Sequence, residues 1–228
     1  CYPEKPKDNC HDLINKNYTF DQYETIYGCN LNSTMHINAK ECQVLIFKCL
    51  FQSLITHNNG GSIYIYLSDD SKFQEKNNLI EKCSFKQCKA NKGGALYIST
   101  LQSSFNFDII DNIFQNNEAM QSGGGIYLGT VHGNIFYCHF IDNFCLQKEG
   151  SDITFEFTIP EVKLTDSLNV QCNIFDHSRL NGEINSIFYF NHKEPVYFTF
   201  TDNTINCSLN TNTNFYHPGH LQCSIPHI

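Results

Sequence analysis

Apolar and polar residues alternate along this chain in short runs, as they do in strands with one buried face. In Ile63-Tyr64-Ile65, Leu96-Tyr97-Ile98 and Ile126-Tyr127-Leu128 the aliphatic residues are expected to point inward and the tyrosines outward. A second set of runs has the same alternation: Leu79-Ile80-Glu81, Phe105 to Ile109, Ile135-Phe136-Tyr137, Leu168 to Val170 and Val196 to Phe200. Helical periodicity is nowhere sustained. The abundance of Phe, Tyr, Ile and Asn favours strands and turns over helices.

The runs recur as copies of one phrase, clearest in Cys83 to Ile98: a Cys, a Phe two residues on, a polar stretch, a Gly pair, then a strand containing a Tyr. Copies begin at Cys49, Cys83, Asn112, Cys138, Cys172 and Cys207, 26 to 35 residues apart. A period of that length, with two or three short apolar runs in each copy, predicts a solenoid. Each copy would add one strand to each of two or three sheets of a parallel β-helix, with neighbouring coils about 4.8 Å apart. Phe51, Phe85, Phe114 and Phe140 would then form an internal aromatic stack. The Gly pairs at Gly60, Gly93 and Gly123 would supply tight turns, and stacked Asn residues a turn ladder.

Two motifs carry a family resemblance. One is Phe-x-x-Asn, at Phe114 to Asn117 and Phe140 to Asn143. The other is Gly-Gly followed by a small or aliphatic residue and then Ile or Leu, at Gly60 to Ile63, Gly93 to Leu96 and Gly123 to Ile126. Together they resemble the repeats of chlamydial polymorphic outer-membrane proteins and of secreted or surface proteins of protists, and more broadly the pectin-lyase-like β-helices. The resemblance covers roughly residues 44–206 and departs from the pattern at Leu54 and Cys88, where Asn is usual. It implies an all-β, right-handed parallel β-helix with a surface or secreted, adhesin-like role, and carries over no catalytic residue. About six coils are expected over 44–206, between a Cys-rich N-terminal cap at 1–43 and a C-terminal cap at 207–228.

Composition adds the compartment. The 228 residues carry 15 Lys+Arg against 23 Asp+Glu, a net charge of -8, with no basic cluster to track a nucleic-acid backbone. No apolar run reaches membrane-spanning length, so no transmembrane segment is expected. Twelve Cys, an even number without a zinc-type spacing, predict disulfides in a secreted protein. N-glycosylation triplets at Asn17, Asn32 and Asn206 agree. The chain opens at Cys1 without Met, as after removal of a signal peptide; a lipid-modified Cys1 is the alternative. Stacked coil positions put Cys49 with Cys83 and Cys138 with Cys172 inside the usual disulfide Cα range, and Cys207 with Cys223 would staple the closing segment. Cys172 with Cys207, and Cys138 with Cys145, form the other option.

Candidate chemistry is sparse, and a non-catalytic structural or adhesive glycoprotein, one that stacks end to end into an extracellular filament in one version, is the expected function. Its partners would be further copies, or another extracellular protein or glycan. The alternative is a polysaccharide lyase or hydrolase of the pectin-lyase-like fold. Against it, Arg179 is the only Arg, near Asp176 and His177, while Asp69-Asp70 sits in a connector. His132-Gly133 has no Arg-x-Lys companion. His217, His220, Cys223 and His227 read as a polar cap rather than a metal site, and Asp111, Asp142 and Asp202 as turn residues rather than calcium ligands. No cofactor is expected. The outward column Tyr64, Tyr97, Tyr127 is the candidate binding surface, weighed against a purely structural ladder.

Overall fold

Among the described residues, successive strands lie in different sheets, and the chain returns to each sheet one rung further on. A computed structural model describes residues 17–20, 24–39, 44–67, 78–100, 106–129, 131–147, 150–156, 167–177, 188–191, 197–207 and 215–216. Among these the chain is all-β, and all strand pairings are parallel. One sheet has eight strands, two have seven, and a short one has three. In the eight-stranded sheet the neighbours run Asn17–Phe20, Met35–Ala39, Ile63–Leu67, Leu96–Thr100, Ile126–Gly129, Ile153–Glu156, Phe188–Asn191 and Phe215–Tyr216. This order, with the same order repeated in the two seven-stranded sheets, is consistent with a β-helical solenoid.

In-register pairing converts the sequence repeat into columns. Ile63, Leu96, Ile126 and Ile153 align, as do Ile65, Ile98, Leu128 and Phe155, and all are buried. Across the core, Ile46, Ile80, Ile109, Ile135 and Val170 form the equivalent column of a seven-stranded sheet. The third face supplies the aromatic stack. Phe51, Phe85, Phe114 and Phe140 lie inside with ring centroids 4.9, 4.8 and 5.0 Å apart and planes within 9°. Phe175 extends the stack at 4.9 Å.

Two corners explain the turn chemistry. At the first, Gly28, Lys48, Lys82, Asp111, Tyr137, Cys172 and Asp202 have positive φ. The next residue in each case, Cys29, Cys49, Cys83, Asn112, Cys138, Asn173 and Asn203, turns into the sheet that holds the Phe stack. At the second, Ser53, Gln87, Asn116 and Asp142 have positive φ and precede Leu54, Cys88, Asn117 and Asn143. The Asn residues form ladders. Asn117 Oδ1 accepts the Cys88 N–H at 3.0 Å, Asn143 Oδ1 accepts the Asn117 N–H at 3.0 Å, and Asn117 Nδ2 donates to the Phe85 carbonyl at 3.0 Å. At the first corner, Asn112 Oδ1 accepts from Cys83 N, Asn173 Oδ1 from Cys138 N, and Asn203 Oδ1 from Asn173 N, at 2.8 to 2.9 Å. Cysteines take the same places: Cys83 Sγ accepts the Cys49 N–H at 3.4 Å, and the Cys83 and Cys138 thiols each donate to carbonyls of the preceding strands.

The Gly pair serves two purposes. Gly93 takes φ +63. Gly94 has no room for a side chain, because a Cβ there would sit 2.2 Å from the Gly124 carbonyl oxygen of the next rung.

Three expectations change. The anchor at Cys172 is one residue early: Asn173 occupies the column, Phe175 rather than Ile174 enters the stack, and Ile174 is exposed. The last anchor is likewise Asn203, not Cys207, because Thr204 pairs with Ile174. Cys49, Cys83, Cys138 and Cys172, with Cys88, are free thiols, so the expected bridges Cys49–Cys83 and Cys138–Cys172 are absent, as are the Cys172–Cys207 and Cys138–Cys145 options. Parallel in-register strands hold stacked Cα–Cβ vectors side by side rather than converging, whereas a disulfide brings its two Cβ atoms to about 3.5–4.5 Å. Cys29 is disulfide-bonded. Finally, no sheet boundary falls at 43/44: Asn17–Phe20, Glu24–Tyr27, Asn30–Leu31 and Met35–Ala39 pair directly into the same sheets. The pairing of Cys207 with Cys223 lies outside the described side chains.

Candidate functional site: a tyrosine ladder on the eight-stranded sheet

The alternation that buries Ile63, Ile65, Leu96 and Ile98 turns the residues between them to the outer face of the sheet. Because pairing is in register, Tyr64, Tyr97 and Tyr127 occupy successive rungs. Tyr64 and Tyr97 stack with centroids 5.1 Å apart and planes 2° apart, and Tyr97 and Tyr127 at 4.7 Å and 1°. Such offset pairs add about 0.5–1.5 kcal/mol each beyond their burial. His36 continues the column one rung earlier, with its ring 5.5 Å from Tyr64 and tilted by 36°.

The two ends of the column differ. Tyr127 is buried and its hydroxyl meets Glu156 Oε2 in a short contact. Lys92 Nζ lies 4.8 Å from the centre of the same ring and 3.2 Å from Glu156. A cation over the ring face and a carboxylate at the hydroxyl thus close the ladder at Tyr127. Ser99 and Gly129 stand beside the ladder, and a Cβ on Gly129 would come within 3.3 Å of the Tyr127 ring, so the small residue makes room for it. Tyr64 and Tyr97 are half-buried. Burial, followed by the neighbouring Tyr97 and Tyr66, pushes the Tyr64 phenol above its ordinary value.

This geometry fixes what the surface can do. Each ring covers the face of the next, so a partner meets ring edges and a row of hydroxyls rather than open aromatic faces. A phenol hydroxyl both donates and accepts hydrogen bonds. The column therefore offers repeated polar contacts backed by rigid rings that lose little entropy on binding.

The other singled-out residues stay apart from it. Asn32 is exposed, and Thr34 of its triplet donates a hydrogen bond to the Gly61 carbonyl at 2.8 Å. Asn17 and Asn206 lie in strands whose side chains are outside the described set. Asp111 and Asp202 share one corner column and Asp142 lies at the other corner, all at positive φ. The rung neighbours of Asp111 are Lys82 and Tyr137, so turn formation accounts for its place. His132-Gly133 lies within a strand, where a Cβ on Gly133 would strike the Phe107 carbonyl oxygen of the adjacent rung. Arg179, Asp69-Asp70, and His217, His220, Cys223 and His227 lie outside the described residues. Among those described, no three His, Cys, Asp or Glu side chains gather into a metal-binding group, and no helix is long and apolar enough to cross a membrane.

Sequence reasoning missed His36, Lys92 and Glu156. Met35-His36-Ile37 has the same alternation as Ile63-Tyr64-Ile65 and was open to discovery. It lacks a Gly pair before it, Asn32-Ser33 standing there instead. Lys92 and Glu156 are 64 residues apart, and only the register brings them together. Comparison of the chain with family models, curated proteins and solved structures finds no match.

Proposed function

We propose that the chain is a non-catalytic secreted or cell-surface glycoprotein, a structural and adhesive module of the same kind as the polymorphic outer-membrane-type repeat proteins. On this reading it is a right-handed parallel β-helix with disulfide-rich caps, carrying N-linked glycans at Asn17, Asn32 and Asn206. Right-handedness is supported by the strong preference of parallel crossover connections for that hand. Its partners are further copies of itself, stacked end to end, or another extracellular protein or glycan. A net charge of -8 disfavours nucleic acid.

The observation that carries the reading is the tyrosine ladder, an outer face on which one aromatic side chain repeats in register over three rungs. An internal column of that regularity serves packing. An external one also presents the same contact repeatedly to a partner.

The test uses glycosylated protein in wild-type form and as Tyr64→Ala/Tyr97→Ala. Light scattering and negative-stain microscopy read end-to-end assembly, and retention on immobilised extracellular protein and glycan surfaces reads adhesion. Loss of assembly or retention in the double variant, with its far-UV spectrum unchanged, is the expected result. Wild-type protein that neither assembles nor is retained, or that releases reducing sugar from plant or algal polysaccharide, overturns the proposal.

A further inference from the structure

The short three-stranded sheet borders a groove with a chemistry unlike the rest of the surface. Its strands, Lys89–Lys92, Glu118–Ser122 and Phe144–Cys145, lie on consecutive rungs, and a bridge from Ile55 to Lys89 adds a fourth. Over these rungs runs an open cavity of about 300 Å³, lined by Thr56 and His57, Ala90 and Asn91, Met120 and Gln121, and Leu146 and Gln147. That volume is at the lower end of small-molecule sites, about 300–1,000 Å³.

Three features define what fits. First, among the described residues the lining of this acidic protein contains no carboxylate, ammonium or guanidinium. The charges described on the flanking strands are paired, Lys89 with Glu118 at 2.6 Å and Lys92 with Glu156 at 3.2 Å. Second, carboxamides recur rung after rung, at Asn91, Gln121 and Gln147, each able to donate and accept at once. Third, Met120 and Leu146 are about half exposed, at 49% and 53%, and give the same groove an apolar wall. A neutral ligand with paired hydroxyls on one side and C–H surface on the other satisfies all three.

An extended peptide satisfies them less well. Peptides that join a sheet do so through an open backbone edge. Here the backbone is already engaged between rungs: Thr56 N–H bonds to Lys89 O, Asn91 N–H to Asn58 O and Leu146 N–H to Ala119 O. Recognition must therefore come from side chains. The groove also crosses the strands, so a polymer lying in it would meet an equivalent amide every about 4.8 Å, a step comparable to one pyranose unit.

We propose that this groove is a binding site for neutral carbohydrate, holding one or two pyranose residues of a glycan chain against Asn91, Gln121 and Gln147, with Met120 and Leu146 against their C–H faces. The site is separate from the tyrosine ladder, and its test separates the two. Calorimetric titration with mannopentaose, cellopentaose and xylopentaose, with trigalacturonate and a mixed neutral hexapeptide as contrasts, reads the ligand class. At least one neutral pentasaccharide should bind. Each amide truncated, in Gln121→Ala and Asn91→Ala, should weaken binding about threefold to tenfold, the loss for one or two neutral hydrogen bonds. Leu146→Asp should abolish binding of that sugar, while Tyr97→Ala should leave it unchanged. Far-UV spectra confirm that each variant folds. The proposal is overturned if no pentasaccharide binds, if binding survives Gln121→Ala and Leu146→Asp undiminished, or if the galacturonate or the peptide binds more tightly.

Discussion

Removing the Asn117 carboxamide tests the corner ladder at its centre. The residue is fully buried and makes three contacts at 3.0 Å: its Oδ1 accepts the Cys88 N–H, and its Nδ2 donates to the Phe85 carbonyl and to Asn143 Oδ1. In Asn117→Ala the Cys88 N–H is buried without this acceptor, at a cost of about 1–3 kcal/mol. Loss of the two Nδ2 bonds adds about 0.5–1.5 kcal/mol each, for a total of about 2–6 kcal/mol. Asn117→Cys should cost much less, about 1–2 kcal/mol, because Cys88 already fills this column one rung earlier and its thiol donates to the Lys86 carbonyl at 3.2 Å. A thiol can accept one N–H and donate one S–H, which leaves no orphaned backbone donor. Urea unfolding under reducing conditions reads both variants through the midpoint at constant slope. Amide hydrogen exchange at Cys88 should accelerate in the Ala variant and stay slow in the Cys variant. Equal destabilisation by Ala and Cys, or unchanged exchange at Cys88 in the Ala variant, would refute the view that the column is held by side-chain acceptors.

The other expectations are briefer. Phe114→Ala removes a fully buried ring stacked on both sides and should destabilise by about 3–5 kcal/mol, read by the same unfolding assay. Gly94→Ala, whose Cβ would meet backbone of the next rung at 2.2 Å, should leave little folded protein at ambient temperature, seen as loss of the far-UV strand signal. Tyr137 is 63% exposed and held at φ 57, so Tyr137→Asn should raise the melting temperature by relieving about 1 kcal/mol of left-handed strain. Burial pushes the Cys138 thiol up to about 12 from an ordinary 9.0. The unfolded chain releases that proton first, so stability should fall by about 1.4 kcal/mol per pH unit between those values and be unaffected by this group below pH 9. Cys138→Ala should flatten that part of the profile.

Much of the fold was legible because a parallel, in-register stack writes its period directly into the sequence. Phe51, Phe85, Phe114 and Phe140 share a spacing from Cys or Asn and a polar turn, and all four stack. The inward aliphatic and outward tyrosine positions followed from a period of two. The register failed where one residue type outweighed the pattern. Asn173-Ile174-Phe175 repeats Asn112-Ile113-Phe114 residue for residue, but the adjacent Cys172 matches the cysteine of the other copies and displaces the anchor by one residue. Gly28-Cys29-Asn30-Leu31 is likewise a copy of Lys48-Cys49-Leu50-Phe51 with Leu in place of Phe, so the coils begin before residue 44. The closure of the tyrosine ladder by Lys92 and Glu156 was not legible, since neither belongs to a repeated motif.

The same misreading explains the disulfides. A cysteine recurring at one column suggests a row of bridges, and the Cα spacing permits it. What the column selects, however, is a small side chain that accepts the N–H of one rung and donates to a carbonyl beneath. Asn does this with an amide, as at Asn112, Asn117, Asn143, Asn173 and Asn203. Cys donates with a thiol to the rung beneath, as at Cys49, Cys83, Cys88 and Cys138, and Cys83 Sγ also accepts the Cys49 N–H. Burial raises the Cys88 and Cys138 thiols, and at Cys83 the hydrogen bond with the Cys49 side chain acts with burial to the same end. A protonated S–H is the form that can donate, and it is the form that resists oxidation. Cys83, Cys88 and Cys138 are thus held as neutral thiols, while the hydrogen bond with the Cys83 side chain shifts Cys49 below its ordinary value, and the repeated cysteines read as substitutes for asparagine in a hydrogen-bonded ladder.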